Sequence, residues 1–205
     1  MAAKVDFKKT LKDLYAPPKG TFVRVNVPPM RYVMVDGAGN PNTAPAYATA
    51  LQWLYSTSYA MKFAAKTMLK RDYVVPPLEG LWWADDPEVF VSRQKELWNW
   101  TMMIMVPDFI SEAMFDAACV KSAKKLGEAP DTLRMAELHE GLSLQTMHFG
   151  SYDQEGPTLA RLHDEEMPSQ GLAFNGPHHE IYLGDPRKTA PERLKTVLRQ
   201  PVRTV

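Results

Sequence analysis

Two short segments, PLEGLWW at residues 77–83 and HHEIYL at residues 178–183, decide the predicted fold because they occupy the same place in a repeated order of elements. Each is followed within a few residues by Asp-Pro, at residues 86–87 and 185–186. A strand pattern, a polar loop and a helical pattern precede each segment, and another strand pattern follows it. The order strand, loop, helix, strand, strand therefore occurs twice.

This repeat predicts an α+β fold built from two βαββ modules. The first half covers residues 30–107 or so, and the second covers about 133–202. Between them, residues 108–127 carry apolar side chains at helical spacing and predict an inserted helix, which serves either as a lid or as core. We expect one domain over residues 1–205, with the modules related by a pseudo-two-fold axis. The antiparallel sheet would carry helices on one face and a ligand pocket on the other.

Strand alternation predicts which side chains line that pocket. Placing the two Asp-Pro turns in register matches Trp83 with Tyr182 and Leu81 with Glu180. Successive side chains of a strand point to opposite faces, so Glu79 and Trp83 would share one face. Across the two-fold axis they would meet Glu180 and Tyr182.

Two further aromatic residues are expected at this pocket, and one alternative register stays open. Phe149 directly precedes Gly150 at the end of a strand pattern, and Trp100 lies in the third strand of the first half. A slip of one residue would replace Trp83 by Trp82 in the pocket.

A carboxylate among aromatic rings needs a partner, because burying it alone costs several kcal/mol. A flat, delocalised organic cation would supply the charge, and the ring faces would supply stacking and cation-π attraction. The alternative is that the tryptophans are ordinary core and that Glu180 lies on a solvated edge or pairs with Arg187.

Composition excludes several classes of function. The 24 Lys and Arg balance the 24 Asp and Glu, so we expect neither nucleic acid nor an anionic membrane as partner. The most apolar run, at residues 100–110, is too short to span a membrane. The N-terminus lacks the apolar core of a signal peptide, and the single cysteine, Cys119, fits a reducing compartment. A cytoplasmic location is therefore predicted.

The histidines do not predict a metal site. None of the 5 histidines forms an HExxH pair, and no cysteine cluster accompanies them. We expect no metal and no cofactor, and the sequence leaves the oligomeric state open.

Three motifs carry a resemblance to a known family. They are PPLEGLWW at residues 76–83, HFGSYDQEGPT at 148–158, and HHEIYLGDPRKTAPERLKTVLRQPV at 178–202. Together they resemble the GyrI-like small-molecule-binding family over residues 14–202 or so. Within it they are most similar to the stand-alone bacterial branch that includes cyclopropanoid cyclopropyl hydrolases. The resemblance implies paired βαββ modules with the ligand between them.

The resemblance also implies functions for particular residues. In related multidrug-responsive regulators a pocket glutamate meets cationic lipophilic drugs, and Glu180 matches its position, with Tyr182 and Trp83 as aromatic walls. Direct control of transcription is doubtful, because no helix-turn-helix precedes the first strand. In the hydrolase branch, Glu180 and Glu79 would act as general base and electrostatic support, with Tyr182 donating to the developing phenolate. Broad binding of xenobiotics is the favoured function, and hydrolysis of cyclopropanoid alkylators in the same pocket is the alternative.

Overall fold

The computed structural model describes residues 4–86 and 88–205 and shows a mixed α+β fold, which confirms the predicted class. All strand pairings within its nine-stranded sheet are antiparallel. The strands are β1 (Val23–Val27), β2 (Met30–Ala38), β3 (Leu78–Trp83), β4 (Asn99–Val106), β5 (Arg134–Leu138), β6 (Gly141–Phe149), β7 (Leu172–Phe174), β8 (His178–Tyr182) and β9 (Lys195–Thr204). The helices are α1 (Phe7–Thr10), α2 (Lys12–Tyr15), α3 (Pro45–Ala64), α4 (Glu88–Val91), α5 (Glu112–Leu126), α6 (Gly156–Ala160) and α7 (Met167–Ser169), and the π-helical turns Ala65–Leu69 and Arg161–Glu166 continue α3 and α6.

The strand order places the two predicted halves side by side. It runs β1-β6-β9-β8-β3-β4-β2-β5, with β7 paired to β9. The block β2-β4-β3 comes from the first half and the block β6-β9-β8 from the second, and the blocks join where β3 pairs with β8. This order suits two βαββ modules. The rotation relating them, and the module boundaries, stay predictions.

The long helices share one face of the sheet, which we call the helix face. Helix α3 packs on β2 and β4 there, and α5 packs on α3, where Ser56 Oγ donates to Ser122 Oγ at 2.8 Å. Ser111 caps α5, and its Met114, Phe115 and Ala118 are buried in the core shared with α3. The inserted helix is therefore core rather than a lid. In the second half, Leu162 and Met167 pack over Leu144 on the same face.

The opposite face, which we call the N-terminal face, is covered by α1 and α2. Leu14 and Tyr15 are buried against Met147, Ile181 and Val197 of the sheet. The prediction that the face without long helices is open for a ligand is therefore wrong, since the N-terminal helices occupy it.

The backbone of Gly37 and the indole of Trp100 are in close contact in the first half of the sheet. Gly37 in β2 pairs with Trp100 in β4, and a Cβ atom at residue 37 would lie only 2.1 Å from the Trp100 indole. Glycine is the residue that leaves room for this indole, which is 0% exposed. In the described parts of the chain, no helix combines the length and the apolar character that crossing a bilayer requires.

Candidate functional site

The register between β3 and β8 decides which side chains meet at the centre of the sheet. Gly80 pairs with Glu180, and Leu78 pairs with Tyr182. Paired residues of antiparallel strands lie on the same face, so Trp82, and not Trp83, joins Glu180 and Tyr182. The predicted register is wrong by one residue. The alignment of the two Asp-Pro turns assumed that the same number of residues joins each strand to its turn. A difference of one residue between these connections moves every side chain of one strand to the other face of the sheet.

Trp82, Tyr182 and Glu180 form a hydrogen-bonded chain on the helix face. The Trp82 Nε1–H donates to the Tyr182 oxygen at 3.0 Å, and the Tyr182 hydroxyl donates to Glu180 Oε2 at 2.8 Å. The indole is 7% exposed, whereas 15% of the Glu180 side chain reaches solvent. The chain therefore ends at a carboxylate that a ligand can approach.

Aromatic side chains from both halves surround this chain. Tyr47 of α3 stacks on Trp82 with ring centroids 6.3 Å apart, and Trp98 meets the same indole edge-on at 5.8 Å. Tyr152 from the loop after β6 meets Tyr182 edge-on at 5.4 Å. The sequence analysis missed all three. Only Tyr152 was within a recognised motif, and no local pattern places Tyr47 or Trp98 beside Trp82.

The electrostatic environment raises the pKa values of two neighbouring carboxyl groups on this face, more for Glu155 than for Glu180, so Glu180 is the one that ionises first. Burial raises the pKa of Glu180, and the hydrogen bond from Tyr182 and the positive charge of His179 only partly offset it. Glu155, 4% exposed at the start of α6, has its pKa raised by burial and by the charge of Glu180. Two neighbouring buried carboxyl groups resist simultaneous ionisation.

The other sequence-predicted site residues lie elsewhere. Trp83 and Glu79 belong to the N-terminal face, where Trp83 packs near Leu81. Phe149, 37% exposed, lies on that face too, and its ring centroid is 4.9 Å from the Lys19 Nζ. Trp100 shares the helix face but is fully buried under Tyr47, at a centroid distance of 5.2 Å. The structure therefore brings together only Glu180 and Tyr182 of the predicted set.

A buried ionic network fills the N-terminal face directly behind Glu180. His179 Nε2 lies 3.0 Å from Glu79 Oε2, and its Nδ1 lies 2.9 Å from Glu140 Oε1. Arg199 donates to Glu140 Oε2 at 2.9 Å and to the Leu14 carbonyl of α2 at 2.7 Å. The network thus ties the N-terminal helices to the sheet.

Mutual attraction in this network keeps His179 and Glu140 charged. Burial alone would lower the pKa of His179, but the carboxylates of Glu140 and Glu79 outweigh it and raise the pKa to about 9. Burial also opposes ionisation of Glu140, yet His179 and Arg199 lower its pKa to about 2. Two acids and two bases balance each other. The network therefore needs no ligand to complete it.

Among the described residues the site contains no group of metal-binding side chains, and it lies apart from a surface cleft at the N-terminal helices. Within residues 4–86 and 88–205, no three His, Cys, Asp or Glu side chains are grouped to hold a metal ion. A surface cleft of about 560 Å³, lined by Lys9–Leu14, Arg24–Asn26 and Pro28, contains none of the helix-face aromatics. The Trp82–Tyr182–Glu180 chain is therefore the candidate site.

Comparison with known proteins identifies the family. The model of the GyrI-like small molecule binding domain matches residues 22–203. The chain therefore belongs to the GyrI-like family, as the motifs indicated. A comparison with curated proteins found no significant match.

Solved structures agree with this assignment. An uncharacterized conserved protein from Listeria innocua is 39% identical with a TM-score of 0.88, and the match covers 98% of this chain and 100% of that one. A hydrolase from Listeria innocua is 38% identical with a TM-score of 0.83 over the same shares of the two chains. The EcmrR C-terminal domain is 11% identical with a TM-score of 0.59, covering 90% of this chain and 98% of that one, and shows the fold alone.

Proposed function

We propose that the protein binds flat, lipophilic aromatic molecules, preferentially cations, against Trp82 and Tyr182, with Glu180 as the counter-charge. The observation that carries this proposal is a mostly buried carboxylate inside an aromatic wall. Among the described residues, no lysine or arginine forms an ion pair with Glu180, and His178, 3.9 Å away, is neutral. A delocalised cation stacked on the rings supplies the missing charge.

The charge of Glu180 can be tested with matched dyes. We expect Glu180→Gln to weaken binding of rhodamine 6G by roughly 10- to 100-fold, because hydrogen bonds and contacts to charged groups contribute about 1.5–3 kcal/mol. A neutral dye of similar size should lose far less. Fluorescence polarisation measures both affinities.

A matched control is Glu192→Gln, at an exposed position of the turn Pro191–Arg193. It should leave both dissociation constants unchanged. Equal losses for the cationic and the neutral dye in Glu180→Gln would contradict the role of charge.

Hydrolysis of a cyclopropanoid alkylator is the second candidate function. Two observations favour it: the hydroxyl of Tyr182 is held between Glu180 and Trp82, and the hydrolase from Listeria innocua is 38% identical over 98% of the chain. A carboxyl group with a raised pKa and a phenol are suited to proton transfer.

The proposed reaction is addition of one water to a cyclopropane fused to a dienone. The water oxygen bonds to the ring CH₂, and the cyclopropane C–C bond breaks. Its electron pair passes to the carbonyl oxygen, which becomes a phenolate and then takes up a proton. Glu180 accepts the proton lost by the water, and the Tyr182 hydroxyl, which donates to Glu180 before the step, then turns to donate to the phenolate. Glu79 has no place in this scheme, because it is fully buried on the other face.

Mass spectrometry of a cyclopropanoid substrate incubated with the protein tests this candidate. Turnover should give a product heavier by one water, and both Glu180→Gln and Tyr182→Phe should slow its formation. Saturable binding of the substrate without product would restrict the protein to binding. The single cysteine, Cys119, supports a reducing compartment such as the cytoplasm as the place of action.

A further inference from the structure

Three polar side chains lie beside Glu180 and have no part in the aromatic wall. His178 precedes Glu180 by two residues on β8 and shares its face, and Gln200 lies next to it on β9. His163 comes from the π-helical turn after α6, and its ring centroid lies 5.9 Å from that of His178. These residues therefore lie between Glu180 on the sheet and the π-helical turn Arg161–Glu166 that packs over it.

Several polar atoms of this group lack a well-formed hydrogen bond. Both ring nitrogens of His178, Nε2 of His163 and Oε1 of Gln200 are buried without a hydrogen bond. Buried polar atoms are nearly always hydrogen-bonded in folded proteins, so we expect a bound molecule to supply the missing hydrogen bonds of this cluster. The Gln200 amide nitrogen already donates to the Gly176 carbonyl at 2.9 Å, which identifies the other amide atom as the free acceptor.

The group has more hydrogen-bond acceptors than donors. Burial lowers the pKa of His178 to about 3, and it also lowers the pKa of His163, so both imidazoles are neutral at physiological pH. Each neutral ring offers one donor and one acceptor, whereas Gln200 Oε1 and the Glu180 carboxylate only accept. Gln200 lies near enough to both imidazoles to oppose the lowering of their pKa values, but its one free oxygen cannot serve every polar atom of the group. The second ring nitrogens and the Glu180 carboxylate still lack a donor, so a bound group must donate.

We propose that His163, His178 and Gln200 form a subsite that receives an N–H or O–H group of the ligand held against Glu180. A water molecule occupies the subsite when the ligand lacks such a group. The 3.9 Å between His178 Nε2 and Glu180 Oε1 is too long for a direct hydrogen bond, and a donor bound between them bridges the gap. Phe174, with its ring centroid 5.0 Å from that of His163, holds that imidazole in place.

This inference rests on the proposed function, since it assumes a ligand over Glu180. Its test compares rhodamine 123, which carries unmethylated amino groups, with tetramethylrhodamine methyl ester, which has the same core and charge but no N–H. We expect the wild-type protein to prefer rhodamine 123 by roughly tenfold, because an unmet buried acceptor is costly. His178→Phe should bring the ratio of the two affinities close to one.

His139→Phe, at an exposed position, is the matched control and should keep the preference. A preference that persists in His178→Phe arises from the size of the methyl groups and overturns the subsite, as does equal binding of the two dyes by the wild-type protein.

A crystal structure of the unliganded wild-type chain gives a second, independent readout, which also serves if His178→Phe fails to fold. An ordered water that donates to His178 or Gln200 and to Glu180 supports the subsite. Direct hydrogen bonds among these side chains, with no water between them, overturn it. If neither dye binds, the proposed function fails, and the crystal structure alone decides the subsite.

Discussion

Two adjacent tryptophans, Trp82 and Trp83, lie on opposite faces of the sheet, so replacing each in turn tests which face carries the candidate site. Trp82→Phe removes the donor to the Tyr182 oxygen at 3.0 Å and part of the ring that faces Tyr47. Both contacts lie within the protein, so their loss lowers the free energy of unfolding by about 1–2 kcal/mol. The affinity for rhodamine 6G falls because the smaller ring stacks less well on the dye, and an aromatic pair contributes about 0.5–1.5 kcal/mol, so binding should weaken by roughly 2- to 10-fold.

Trp83→Phe is the matched control, because Trp83 lies one residue away on the opposite face. It should change the dissociation constant by less than about twofold and lower the free energy of unfolding by about 1 kcal/mol. Polarisation titrations give the affinities, and urea unfolding gives the stabilities. Dye-induced quenching of tryptophan fluorescence should shrink in Trp82→Phe and persist in Trp83→Phe. A larger loss of affinity in Trp83→Phe would refute the register on which the site depends.

Three further predictions concern stability. Glu140→Gln should lower the free energy of unfolding in urea by about 3–5 kcal/mol, because His179 and Arg199 lose the buried carboxylate between them. Glu137→Gln, at an exposed position of β5, is the control and should lower it little. Because the pKa of His179 is raised to about 9, its charged form stabilises the fold by about 3 kcal/mol below pH 6.5 or so, and this stabilisation is lost as the pH rises through 9. Urea denaturation measured from pH 6 to 10 should show the loss. If His179→Gln has the same dependence of stability on pH as the wild type, His179 is not its origin. Gly37→Ala should unfold at much lower urea concentration than the wild type, since its methyl group overlaps the buried Trp100 indole, and a stability equal to wild type would contradict that close contact.

Local patterns in the sequence were sufficient for the fold class and for two residues of the site. The repeated order of elements around PLEGLWW and HHEIYL predicted the α+β sheet, because periodicity and turn residues are local properties of the chain. The HHEIYL motif also identified Glu180 and Tyr182, whose spacing of two places them on one face in any strand. Family membership was recognisable from the same motifs.

The second glutamate shows where such reasoning fails. Glu79 belongs to PLEGLWW and was expected beside Glu180, yet it accepts a hydrogen bond from Tyr15 on the other face. Its partners Tyr15 and His179 are distant in sequence, so no local pattern predicts them. The same holds for Tyr47, which reaches Trp82 only because α3 packs across β4.

The sequence by itself determined the fold class, the family and the spacing of Glu180 and Tyr182 on one face of a strand, because these depend on residue type and short-range spacing. Only the tertiary structure decided which tryptophan joins that pair, which face the N-terminal helices close, and which tyrosines complete the wall. A strand has two faces that differ by one residue of register, and that register depends on the lengths of connections and on packing between segments about 100 residues apart.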